Sequence, residues 1–123
     1  MKREAPEIRW RAVIAGGAAT LVLAFGISLV AALLGSLPLV AVGVFVGIAV
    51  GAAAAGRLAG TAGILHGGLV AALWILASAV VAPSGPASSD VLGDTLRTVV
   101  LDVASLLVGA FAGWAGSRSA GGD

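Results

Sequence analysis

From Ala12 to Leu34 the chain runs for 23 residues without a charged side chain. As a helix rising about 1.5 Å per residue, such a segment crosses the roughly 30 Å hydrocarbon layer of a bilayer. It is too long for the apolar core of a cleaved signal peptide and reads as a retained anchor. Three more runs follow. Leu39 to Gly56 is uncharged and stops at Arg57. Ile64 to Ala82 carries no Asp, Glu, Lys or Arg. The stretch from Val99 to Ala115 is apolar apart from Asp102 and a single serine, Ser105.

Lipid offers no partner to backbone N–H and C=O groups, so only helices and closed barrels cross it, and continuous apolar runs of this length fit helices. The expected fold is all-α, a transmembrane four-helix bundle forming one integral membrane domain over residues 1–123. Its spans are expected at about 12–34, 39–56, 64–82 and 96–115, with an outer loop at 83–95. Gly35 to Pro38 and Gly60 to Gly63 read as tight turns. The sequence PSGPASSD, residues 83–90, cannot continue a helix, and Ser89 or Asp90 is placed to cap the fourth one.

With 59% apolar and 11% charged residues, the composition points to lipid as the main partner. The absence of cysteine rules out a disulfide framework, a thiolate metal site and a cysteine nucleophile. A single histidine cannot build a zinc centre alone, and no glycine-rich phosphate loop is present, so no cofactor, no metal and no enzyme activity is expected. A net charge of +1 argues against nucleic acid as a partner.

Positive residues set the orientation. If the termini and the turn after Arg57 face the cytoplasm, Lys2, Arg3, Arg9, Arg11, Arg57 and Arg118 lie inside and only Arg97 outside. The expected location is therefore the inner (cytoplasmic) membrane, multi-pass, with cytoplasmic N- and C-termini. Trp10 and Trp114 then sit at the cytoplasmic interface, and Trp74 lies in mid-span as a packing residue.

Small residues recur at four-residue spacing. Gly43, Gly47, Gly51 and Ala55 form one stripe, Gly63, Gly67 and Ala71 a second, and Ser105, Gly109, Gly113 and Ser117 a third. Such stripes let helix backbones approach closely in lipid. The contact they make is either within the chain or with a homo-oligomer or other membrane-protein partner. A repeat is also visible: the Gly16–Gly17 pair recurs at Gly67–Gly68, and VGAAAAGRLAG from Val50 resembles VGAFAGWAGSRSAG from Val108. The bundle would then consist of two hairpins related as parallel repeats.

Two polar loci stand out. Asp102 shares a helical face with Thr98, Ser105, Gly109 and Gly116. It is either interhelical glue, bonded to Thr98, Ser105, Ser28 or Ser78, or an ion or proton site on a transport path. His66, with Arg57 nearby, marks a polar site at the cytoplasmic entrance, where a histidine ordinarily binds water, a headgroup or a carbonyl. The two loci lie at opposite depths, roughly 15 to 20 Å apart, and cannot form a pair.

Three segments carry a resemblance: WRAVIAGG from Trp10, AAGRLAG followed by LHGGLVA around Arg57 and His66, and LLVGAFAGWAGSR from Leu106. They resemble small prokaryotic four-helix integral membrane proteins grouped in families of unknown function. The resemblance implies an integral protein of a bacterial or archaeal cytoplasmic membrane and brings no activity with it. The expected role is a structural or interaction component of that membrane. The alternative is a small oligomeric transporter or channel in which Asp102 is the ionisable site.

Overall fold

The computed structural model describes residues 7–81 and 90–121. They form four helices, α1 (Trp10–Leu33), α2 (Leu37–Ala59), α3 (Gly63–Val81) and α4 (Val91–Ala120), and no strand occurs among the described residues. All four are long and apolar enough to cross a membrane. The chain is a multi-pass, all-α membrane protein.

Helix ends differ from the expected spans for local reasons. α2 starts at Leu37, with Pro38 in its first turn, where a missing N–H removes no helical hydrogen bond. It ends at Gly60, whose φ of 69° is a left-handed cap. α4 begins at Val91, so residues 91–95, expected in the outer loop, are helical. Asp90 explains this start: its carboxylate accepts the Gly93 N–H at 3.0 Å. Asp94 in the first turn of α4 and Arg118 in the last complement its dipole. Ser89 and most of the expected loop lie outside the described residues.

Short connections at 34–36 and 60–62 make successive helices antiparallel. The starts of α1 and α3 and the ends of α2 and α4 therefore share one end of the bundle, here the termini end; the other is the far end. α2 lies against every other helix, α3 likewise, while α1 and α4 do not touch.

Helices in lipid gain little from hiding apolar surface from one another, so contact depends on close fit. The core is accordingly small: Val13, Ala52, Ala55 and Val70 form its centre. Gly43, Gly47, Gly51, Gly63, Gly67, Gly109 and Gly113 are all buried. A Cβ on Gly47 would lie 2.9 Å from the Ala24 nitrogen, and one on Gly51 would strike the Thr20 hydroxyl and the Gly16 carbonyl. Gly113 is the meeting point of three helices: a Cβ on Gly56 of α2 or on Gly63 of α3 would collide with its carbonyl oxygen, and one on Gly67 with its Cα.

The two hairpins close on corresponding glycines. Gly16 meets Gly51 in the first and Gly67 meets Gly109 in the second, while the second glycine of each pair, Gly17 and Gly68, faces open space. They then part ways. α1 and α2 stay packed toward the far end, where Gly43 lies against Ile27 and Ala31 is buried. α3 buries nothing beyond Ala71, and α4 nothing before Ser105. In the VGA alignment, Gly47 and Gly43 correspond to Ser105 and Leu101; from the paired glycines, Ala24 corresponds to Ile75. Larger side chains stand where the first hairpin has the small ones that permit backbone approach.

Candidate functional site

His66 is fully buried in the first turn of α3. Its Nε2 accepts the backbone N–H of Arg9 at 3.0 Å, and its Nδ1 lies 3.0 Å from the Ala62 carbonyl. Since Nε2 accepts, Nδ1 carries the proton and donates to Ala62; the ring is the neutral Nδ1–H tautomer, with both nitrogens occupied. Of the partners expected for a histidine at this entrance it takes a carbonyl, and through Arg9 it also ties the α1 N-terminus to the α2–α3 turn. Arg57 is exposed in the last turn of α2 and forms no hydrogen bond or ion pair within the described chain.

The same end collects positive charge. Arg9, Arg11, Arg57 and Arg118 all lie there, with Glu7 as the one described acid. Arg118 stacks over the Trp114 ring at 4.4 Å, and Phe111 lies 5.3 Å from that ring between centroids.

Asp102 lies on α4, twelfth of its 30 residues, so within about one turn of the helix midpoint. It is half-buried and makes no hydrogen bond or ion pair among the described residues. None of the hydroxyls expected to bind it does so. Thr98 donates to the Asp94 carbonyl at 2.9 Å and Ser78 to the Trp74 carbonyl at 2.7 Å. Ser105 is only 6% exposed, and neither it nor Ser28 is bonded to the acid. For Thr98 and Ser78 the hydroxyl finds its own helix carbonyl first, which removes two of the donors interhelical glue requires.

Residues outside the three small-residue stripes also shape the bundle. Thr20 is buried, donates to the Gly16 carbonyl at 3.0 Å and fills the notch left by Gly51. Gly56 and Gly116 form the α2–α4 crossing, the latter against Ala53. Gly116 was legible on the helical face of Asp102, whereas Gly56 was signalled only as the glycine next to Ala55 of the first stripe.

An apolar groove of about 380 Å³ runs between α1 and α3, lined by Ile14, Gly17, Leu21, Leu73 and Trp74 among others. It contains no ionisable side chain, and Trp74 forms part of its wall. No group of three or more metal-ligating side chains occurs among the described residues. Compared with protein-family models, curated proteins and solved structures, the chain matches none.

Proposed function

We propose that this protein is a structural or interaction component of a prokaryotic cytoplasmic membrane, with both termini on the cytoplasmic side and the far half of α4 turned toward a membrane-embedded neighbour. The observation that carries this reading is Asp102, a half-buried carboxylate within about one turn of the α4 midpoint that makes no hydrogen bond or ion pair among the described residues. A charged side chain at the centre of a span costs about 2.5–3.5 kcal/mol on insertion scales. A face that holds one is suited to being covered. The distribution of Lys and Arg supports the orientation.

Single cysteines test this reading, since the native chain has none. Thr95→Cys and Thr98→Cys are expected to give cross-linked species larger than the monomer in native membranes. Val22→Cys, exposed on α1, is expected to give none. Monomer alone from the α4 positions would refute the reading.

The same unpartnered carboxylate favours a second reading, a small oligomeric transporter or channel. Proton and cation flux in proteoliposomes separates the two. A wild-type flux lost in a well-folded Asp102→Asn variant would replace the first reading with the second.

A further inference from the structure

The face of α4 that carries Thr95, Thr98 and Asp102 is the outward continuation of the one that buries Ser105, Gly109, Gly113 and Gly116. Over its last four turns this face is sealed against α2 and α3. Over its first turns no other described helix covers it: Thr95 and Thr98 are exposed and Asp102 is half-exposed.

The chemistry of the open part is one-sided. A hydroxyl has one proton to give. Thr95 Oγ1 gives its proton to the Val91 carbonyl at 2.7 Å, and Thr98 Oγ1 to the Asp94 carbonyl at 2.9 Å. On α3, Ser78 is turned to its own helix in the same way. What remains facing outward is hydroxyl lone pairs and a carboxylate, acceptors without a free donor. The complement is a donor-only, positively charged group: a lysine ammonium or an arginine fork.

We infer that this stripe docks a transmembrane helix of another protein that carries a lysine or arginine at the depth of Asp102. The inference rests on the interaction role proposed above and names the partner's chemistry. A second copy of this chain fits less well, because its matching stripe offers the same acceptors. The nearest cation of a second copy in depth, Arg97, sits about 140° around α4 from Asp102 and about 7.5 Å nearer the far end. Arg9, Arg11, Arg57 and Arg118 belong to the opposite end. Lipid amines reside in the headgroup layer, whereas Asp102 lies five residues, about 7.5 Å, further along α4 than the charged Arg97.

The test uses the full chain in nanodiscs of uncharged phosphatidylcholine, with a labelled 23-residue Leu/Ala transmembrane peptide as probe. One peptide carries a lysine one turn from its centre; a second has leucine there; a third has the lysine moved two turns along. The first is expected to bind about tenfold or more tightly than the other two, as one charge-assisted hydrogen bond implies. The preference is expected to vanish in Asp102→Asn, whose fold is checked by thermal unfolding. If that variant fails to fold, the comparison of the lysine peptides on the wild type decides. Equal binding of all three peptides overturns the inference, as does a preference that survives in a folded Asp102→Asn. Wild-type self-association that depends on Asp102, with no peptide preference, also overturns it and leaves the interaction role standing. Flux that depends on Asp102, with no peptide preference, removes both.

Discussion

The Nε2 atom of His66 accepts the backbone N–H of Arg9 at 3.0 Å, joining the first turn of α3 to the residue that opens α1, 57 positions earlier. The other ring nitrogen donates to Ala62 in the turn between α2 and α3. One side chain thus fixes three segments at the termini end of the bundle.

Replacing His66 with phenylalanine keeps a planar ring of somewhat larger size and removes both bonds. The Arg9 N–H then loses its acceptor, at a cost of about 1–3 kcal/mol for a part-buried donor. His66→Gln can still present an oxygen to Arg9 and is expected to lose less. Unfolding in detergent measures the difference, and hydrogen exchange is expected to quicken first at residues 9–13. Equal stability of wild type and phenylalanine variant would show that the bond is not formed in solution.

The glycines divide into two groups with opposite expectations. Gly67→Ala and Gly113→Ala place a methyl group onto backbone atoms of the facing helix, which cannot swing aside as a side chain can. Each is expected to destabilise by about 1–3 kcal/mol. A Cβ on Gly17 or Gly68 meets nothing within 4 Å. Alanine there is expected to leave stability unchanged or raise it by about 0.5–1 kcal/mol through helix propensity. The four variants differ by the same single methyl group, so their thermal midpoints isolate packing from composition.

How far the chain's own pattern reveals this structure depends on the range of the interactions involved. Four long apolar runs, the last holding Asp102, require four helices because lipid leaves backbone groups no alternative, and that much needs no tertiary information. The start of α4 was only partly legible: Asp90 was placed to cap it, yet residues 91–95 were assigned to the outer loop, whereas they open a helix of 30 residues that is longer than the hydrocarbon is thick. His66 was placed at the correct end, but nothing local indicates an acceptor role toward a residue 57 positions away. For Asp102 the helical wheel found the correct face. It did not reveal that the cover on that face ends at Ser105, because that depends on Leu101 and Ile75 standing where the first hairpin carries Gly43 and Ala24.

Ala62 holds φ at 51°, a left-handed conformation that costs an L-residue about 1–2 kcal/mol. It persists because the turn must bring the start of α3 back within three residues and because its carbonyl receives the His66 proton. Glycine relieves the steric cost and gives back part of the gain through greater freedom in the unfolded chain. Ala62→Gly is therefore expected to be neutral or stabilising by less than about 1 kcal/mol. Ala62→Val, β-branched in the same conformation, is expected to lower the unfolding midpoint. A loss of stability with glycine would mean that the turn is not left-handed at this residue.

The proposed orientation rests on the charge distribution and can be read by labelling. Ser36 lies in the connection between α1 and α2 at the far end, and Thr61 in the α2–α3 turn at the termini end, beside the end that gathers Arg9, Arg11, Arg57 and Arg118. Positively charged segments are retained on the cytoplasmic side during insertion. In intact cells a membrane-impermeant maleimide is expected to label Ser36→Cys and to leave Thr61→Cys untouched until the membrane is opened. Both positions lie outside the packed glycine seam, so neither substitution is expected to disturb the fold, and with no native cysteine every labelled thiol is the introduced one. The reverse pattern would place Arg97 and the open stripe of α4 at the cytoplasmic end. A cationic partner helix would then have to present its lysine or arginine in the cytoplasmic half of the bilayer.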